Sequence, residues 1–302
     1  MSQKDPGQFS GVLAVFQTPF YEDESIDFET LEKEIHWLYD QGCQGIVMAM
    51  VSETLRLAAD EREQLAEAAC RFGQGRGVVI ISVGAESGHT AERYARRAQV
   101  AGASAIMAIP PISAALPEEE LRGYYERLLK AVEIPVIVQD ASAYVGRPMS
   151  IALQAELFNA YGDRVMFKPE ATPIGPRLSA LRAATGGQAR VFEGSGGVSL
   201  VDSYRRGVAG TMPGADLIRA LVALWRALEV GDEERVYQLH LLIASLVVLQ
   251  NSLDAFLAVE KYLLVKQGIF KNAVVRGPVG YKLDAETRRE VDRLFERLMV
   301  VV

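Results

Sequence analysis

The sequence predicts an α/β chain folded as a single (β/α)8 TIM barrel with a C-terminal three-helix extension. Three observations carry this. Short apolar, β-branched runs alternate with longer helical patterns, the mark of βα units around a parallel sheet. Eight such pairs can be read between Val12 and Glu229, and eight is the number that closes a barrel. Beyond Glu229 the strand pattern stops, and three more helical segments follow.

In order, Val12–Phe20 reads as the first strand, and Asp27 caps a helix that reaches Gln41 and stops at Gly42. Gly45–Met50 is the second strand. Asp60 with Glu63 reads as a capping box for the second helix, which ends near Gly73. Val78–Gly84 and Ala91–Ala101 form the third pair. Ala105–Pro110 is the fourth strand, and Pro117 followed by Glu118, Glu119 and Glu120 opens the fourth helix with a first turn suited to the helix dipole. Pro135–Asp140 is the fifth strand, and Ser150 caps a helix to Tyr161. Val165–Lys168 and Pro176–Ala184 follow, then Arg190–Gly194 and a short helix capped by Ser199 that ends near Arg206. Gly210–Pro213 and Leu217–Glu229 complete the ring.

The extension reads as Glu233–Gln250, Leu253–Gln267 and Ala285–Val300. Its first helix is apolar on nearly every side, so it must pack either on the barrel or across a subunit interface. No linker rich in Gly, Ser or Pro precedes it. Residues 1–229, the barrel, and 230–302, the extension, are therefore expected to form one structural unit.

Composition narrows the function. The chain has 302 residues, is 49% hydrophobic and carries a net charge of −7; its pI is about 5.2. Binding nucleic acid through phosphates calls for a basic face, and none is evident, so no nucleic-acid partner is expected. Cys43 and Cys70 are far apart and make neither a disulfide framework nor a zinc spacing, which points to a reducing, cytoplasmic compartment. His36, His89 and His240 fall in separate segments and form no cluster, so no metal is expected. Met1–Ser10 lacks an apolar run and does not read as a signal peptide. The most apolar run, Leu241–Leu249, is too short to span a bilayer, so no membrane partner is expected either.

Barrel enzymes place their sites at the C-terminal ends of the strands. Those ends carry Gln17 and Thr18, then Met50 to Glu53, then Gln139 and Asp140 with Tyr144 in the following loop, then Lys168 and Glu170, then Glu193 and Ser195, and finally Met212. Of the eight lysines only Lys168 lies in a predicted strand, straight after Val165, Met166 and Phe167. Burying an amine favours the uncharged form that Schiff-base chemistry requires. The plainer alternative is a lysine paired with Glu170 or Glu193 at the barrel mouth. Pro169 confines Lys168 to extended backbone and cannot donate to the ladder, which leaves the amine at the strand end.

The segment Val165–Thr172, VMFKPEAT, resembles the Schiff-base strand of the dihydrodipicolinate synthase and N-acetylneuraminate lyase superfamily. The resemblance also covers Gly11–Phe20 with its Thr18-Pro19 pair, Ile46–Leu57, Gly194, Gly210–Met212 and the three-helix extension. It implies a class I lyase or aldolase in which Lys168 attacks the ketone of pyruvate or a related 2-oxo acid. It further implies a homotetramer or homodimer and no cofactor.

The departures from that family bear on the reaction. Where the family's second-strand loop reads Gly-Thr-Thr-Gly-Glu, this chain has Ala49-Met50-Val51-Ser52-Glu53. Backbone amides at Val51 and Ser52, with the Ser52 hydroxyl, remain able to hold a carboxylate. Gln139 stands where the family carries its proton-relay tyrosine, and an amide is neither acid nor base. Tyr144 is the first candidate for that proton, with Glu193 and Glu170 after it; its plainer role is a ring packed over the mouth. Gln139 and Met212 would line the substrate pocket, which looks less polar than one built for a dicarboxylate. A 2-oxo-acid lyase is therefore expected ahead of 4-hydroxy-tetrahydrodipicolinate synthase proper. Two rivals differ in kind. One is a phosphate-binding barrel using Gly194-Ser195-Gly196-Gly197; the other is a metabolite-binding homologue without catalysis.

Overall fold

The structure is a computed structural model that describes residues 9–140 and 148–302. Eight parallel strands close into a barrel in sequence order: β1 (Gly11–Val15), β2 (Gly45–Val47), β3 (Val78–Ser82), β4 (Ala105–Ala108), β5 (Val136–Asp140), β6 (Val165–Pro169), β7 (Arg190–Glu193) and β8 (Gly210–Thr211). Outside them lie α1 (Phe28–Asp40), α2 (Ala59–Phe72), α3 (Gly88–Val100), α4 (Glu118–Ala131), α5 (Ile151–Tyr161), α6 (Ile174–Ala184), α7 (Leu200–Arg205) and α8 (Ile218–Val230). The extension is α9 (Glu233–Val247), α10 (Leu253–Lys266) and α11 (Ala285–Val300).

Two apolar layers result from the period-two alternation of the strands. Leu13, Val47, Val78, Ile80, Ala105, Met107, Ile137, Met166 and Phe192 fill the barrel interior. The other strand faces, among them Ala14, Ile46, Ile81, Ile106, Val138 and Phe167, pack against the helices in one continuous core that also takes in Leu239, Ile243 and Leu264 of the extension.

Several helix starts follow the capping chemistry. Asp27 accepts from the Thr30 amide and Ser150 from the Leu153 amide. The second helix differs from expectation. It begins at Ala59, with Ala58 at the cap and the Glu61 carboxylate accepting from the Ala58 amide at 2.9 Å. Glu63 is instead drawn across to Arg93 and Arg97 on α3. The third helix starts earlier than read, because Ser87 supplies the cap. The first strand ends at Val15; Gln17 and Thr18 already lie in the loop above the mouth.

One face of α9 is packed on the barrel, through Val236, Leu239, Ile243 and Leu246. Among the described residues its opposite face is left exposed: Leu241 is 63% exposed and Val248, at the helix's C-cap, 66%. No described helix is long and apolar enough to cross a membrane.

Candidate active site

The inward parity of the barrel positions the site. Ile137 and Met166 point into the interior, so Gln139 and Lys168, two residues on, crown the same layer at the C-terminal mouth. They are register partners on adjacent strands. Lys168 is buried, 4% exposed. Its Nζ lies 2.9 Å from Glu170 Oε1, and Gln139 Nε2 sits 3.2 Å from both Glu170 oxygens. Glu170 keeps this place because β6 runs on through Pro169 and the Glu170 amide bonds Asp140 O at 3.0 Å. Gly194 clears the space: a Cβ there would stand 2.6 Å from Lys168 Cε and 2.9 Å from Glu170 Oε1.

This triad opens into a cavity of about 60 Å³ lined by Val15, Ala49, Met50, Val51, Gln139, Lys168, Glu170, Gly194, Gly196, Met212, Gly214, Phe256 and Glu260. That is room for about four to six water-sized groups. Across the mouth, Met50–Ser52 forms a single 3-10 turn. The first amides of such a turn have no acceptor within it, so those of Met50 and Val51 are available to an anion.

Val51, Gln139, Lys168 and Met212 thus share one cavity, whereas Ser52 is turned away from it. The Ser52 hydroxyl donates to Phe16 O at 2.6 Å and accepts from the Ala49 amide, and its own amide bonds Ala49 O. Tyr144 lies outside the described residues. Glu193 faces the helix layer, where Oε1 takes the Ser195 amide and Oε2 the Thr211 hydroxyl. The glycines after it have a packing role: Gly196 lies against Val247 and Phe256, Gly197 against Leu221 and Ile243. The Ser195 and Ser199 amides are already bonded, to Glu193 and to Ser195 Oγ. The loop therefore offers few of the free amides a phosphate would need.

Sequence reasoning missed the contribution of the extension. Phe256 and Glu260, one turn apart on α10, bring their common face over the mouth. Glu260 is 1% exposed and accepts from Gln17 Nε2. The Gln17 amide in turn donates to Glu34 Oε1 at 2.9 Å, and Asp216 Oδ2 accepts from Gln250 Nε2 at 3.1 Å. Burial drives all three carboxyls upward: Glu34 and Glu260 well above the usual carboxylate range, Asp216 to about 6. Beside Glu260, Lys261 is 0% exposed, deeper than Lys168. It is committed to Glu53, to Val274 O at 2.7 Å and to the face of Phe20. Burial therefore does not by itself single out Lys168; facing the cavity does. The readable signal was the Glu260-Lys261 pair inside the otherwise apolar stretch Ala255–Val265.

These carboxyls have a consequence for stability. A carboxyl whose pKa is raised on folding stabilises the native state below the ordinary carboxylate range, and that contribution is lost as the pH rises through the folded value. For Asp216 the loss runs from 3.8 to about 6, and for Glu34 and Glu260 it extends higher. Unfolding free energy is therefore expected to fall as the pH rises from the ordinary carboxylate range through about 6, the folded value of Asp216, with Glu34 and Glu260 adding in the same direction. Glu34→Gln, which keeps an acceptor for the Gln17 amide, should reduce that fall in urea melts; an unchanged fall would remove Glu34 from this account.

Comparisons agree with this geometry. Residues 8–298 match the Dihydrodipicolinate synthetase family. An L-2-keto-3-deoxyarabonate dehydratase from Azospirillum brasilense is 27% identical, over 99% of this chain and 97% of that one. A probable 2-dehydro-3-deoxy-D-pentonate aldolase from Escherichia coli is 28% identical, over 49% and 52% of the two chains. The crystal structure of dihydrodipicolinate synthase from Rhodopseudomonas palustris superposes with a TM-score of 0.90 at 26% identity, covering 98% of this chain and all of the other. With its barrel, its buried strand-end lysine and a match over nearly its whole length, the chain belongs to the Dihydrodipicolinate synthetase family and is an enzyme of the lyase class.

Proposed function

We propose that this chain is a class I lyase that binds a 2-oxo acid as a Schiff base on Lys168 and removes water from a 3-deoxy-2-oxo sugar acid. The observation that carries this is the Lys168–Glu170 pair, 2.9 Å apart in the cavity at the barrel mouth. Glu170 can take the ammonium proton and free the amine to attack C2. After the attack a proton passes from the added nitrogen to the C2 oxygen to give the carbinolamine. The proton held by Glu170 then goes to that departing oxygen, so water is lost, the protonated imine forms and Glu170 returns to the carboxylate. Glu170 next takes a proton from C3, and the electron pair of that bond forms the enamine. The substrate carboxylate falls to the Met50 and Val51 amides, while Met212 and Phe256 supply apolar walls.

Gln139 holds the Glu170 carboxylate but has no proton to relay, which favours this reading over a synthase that needs a phenol there. The A. brasilense relative is named as a dehydratase of a 2-keto-3-deoxy acid, which supports this reading. Glu170→Gln is expected to lower kcat by roughly 10²–10⁴-fold, the usual worth of a general base. Loss of less than tenfold would move the base elsewhere. The reading itself is tested by turnover of a panel of 3-deoxy-2-oxo pentonates and hexonates beside pyruvate with aspartate semialdehyde. At least one sugar acid should be the best substrate; faster turnover of pyruvate with aspartate semialdehyde than of every sugar acid would sink the reading.

A further inference from the structure

The cavity holds a second carboxyl that the steps above do not use. Glu260 overhangs the seam between β1 and β8, where Val15 bridges Gly214. The strands close in order, so this seam lies across the mouth from β5 and β6, which carry Gln139, Lys168 and Glu170. Gly214 makes the position possible, since any Cβ there would collide with Glu260 Oε1. Gln17, itself fully buried, fixes the other oxygen. The neighbouring cation, Lys261, is already engaged by Glu53. A carboxyl so placed, with Glu34 and Asp216 as its acidic neighbours, is held in its protonated form.

We propose that Glu260 is the general acid that protonates the departing C4 hydroxyl of the substrate. This rests on the Lys168 reading above. From the enamine, the nitrogen electron pair re-forms the C2=N bond, the C2=C3 pair becomes C3=C4, and the C4–O bond breaks. Glu260 gives its proton to the leaving oxygen, so water departs, and Glu260 is left as the carboxylate until solvent reprotonates it. One water then hydrolyses the iminium, releasing the unsaturated 2-oxo acid and Lys168 as the ammonium it began as, while the C3 proton held by Glu170 returns to solvent and restores its carboxylate. Base and acid stand on opposite sides of the mouth, so the C3 proton and the C4 oxygen can each be served by its own carboxyl in the two successive steps. Retro-aldol cleavage would instead need a base on the C4 hydroxyl, which a protonated carboxyl is not.

The test compares wild type with Glu260→Gln in three assays. The first is borohydride trapping of pyruvate on Lys168. The second is exchange of pyruvate's methyl protons in D2O, followed by NMR. The third is dehydration of a 3-deoxy-2-oxo pentonate and of its 4-fluoro analogue. Trapping and methyl exchange need only Lys168 and the base, so they should stay within roughly threefold of wild type and also report an intact site. Dehydration should fall by roughly 10²–10⁴-fold, and far less for the fluoro analogue, whose leaving group needs little protonation.

The decline of wild-type kcat/KM at high pH should vanish in Glu260→Gln. Glu34, Asp216, Lys261, Lys168 and Glu170 face the same region from α1, the β8–α8 loop, α10 and β6, and they remain in the variant. Dehydration within threefold of wild type overturns the proposal, and so does exchange that falls in step with dehydration. A wild type that forms no adduct overturns the Lys168 reading and this proposal with it.

Discussion

Lys168→Ala is expected to lower turnover by on the order of 10⁶-fold, the scale at which loss of a covalent nucleophile is felt. The fold should survive. The side chain stands at the end of β6, and its ion pair is with the cavity group Glu170, which Gln139 in turn holds. Thermal melts should therefore shift little while steady-state activity disappears. A variant that keeps more than about one part in a hundred of wild-type kcat would mean that the chemistry does not pass through this amine.

The second large effect is on stability and falls on the other buried lysine. Lys261 holds Glu53, whose backbone sits at φ 55°, a left-handed conformation uncommon for glutamate. The same carboxylate also accepts the Arg276 amide at 3.1 Å. Through this pair α10 is tied to the loop that follows the Met50–Ser52 turn. Lys261→Ala leaves Glu53 buried without its main cation and is expected to cost roughly 3–5 kcal/mol in urea unfolding. Lys261→Met with Glu53→Gln should recover part of it, because no lone charge is then left inside. A loss under about 1 kcal/mol, the range of an exposed pair, would contradict the assignment.

How far the sequence could be read follows from the range of the interactions. The eight strands were legible because each is a local apolar run, and Lys168 because it interrupts one of them. The cap of α2 was not, since Ala58 has no capping side chain and Glu61 supplies the bond from three residues on. Ser52 was placed by its neighbours in sequence, but a 3-10 turn rotates its hydroxyl into the backbone of Phe16. The exposed strip of Leu241 and Val248 shows that an apolar helix need not be buried on every side by the described residues.

Glu260 and Phe256 were out of reach for a different reason. Periodicity shows that α10 has a buried face, but only the docking of the extension puts that face over the barrel mouth. The Gln17–Glu34–Glu260 connection joins residues 17 and 243 positions apart, and no local pattern encodes it.

The central claim is covalent attachment at one amine, and borohydride reduction of the protein with pyruvate tests it directly. Mass spectrometry of the intact chain and its peptides should show a single adduct on the peptide containing Lys168, absent from Lys168→Ala. No adduct with pyruvate or with longer 2-oxo acids, or an adduct on a different lysine, would contradict the account.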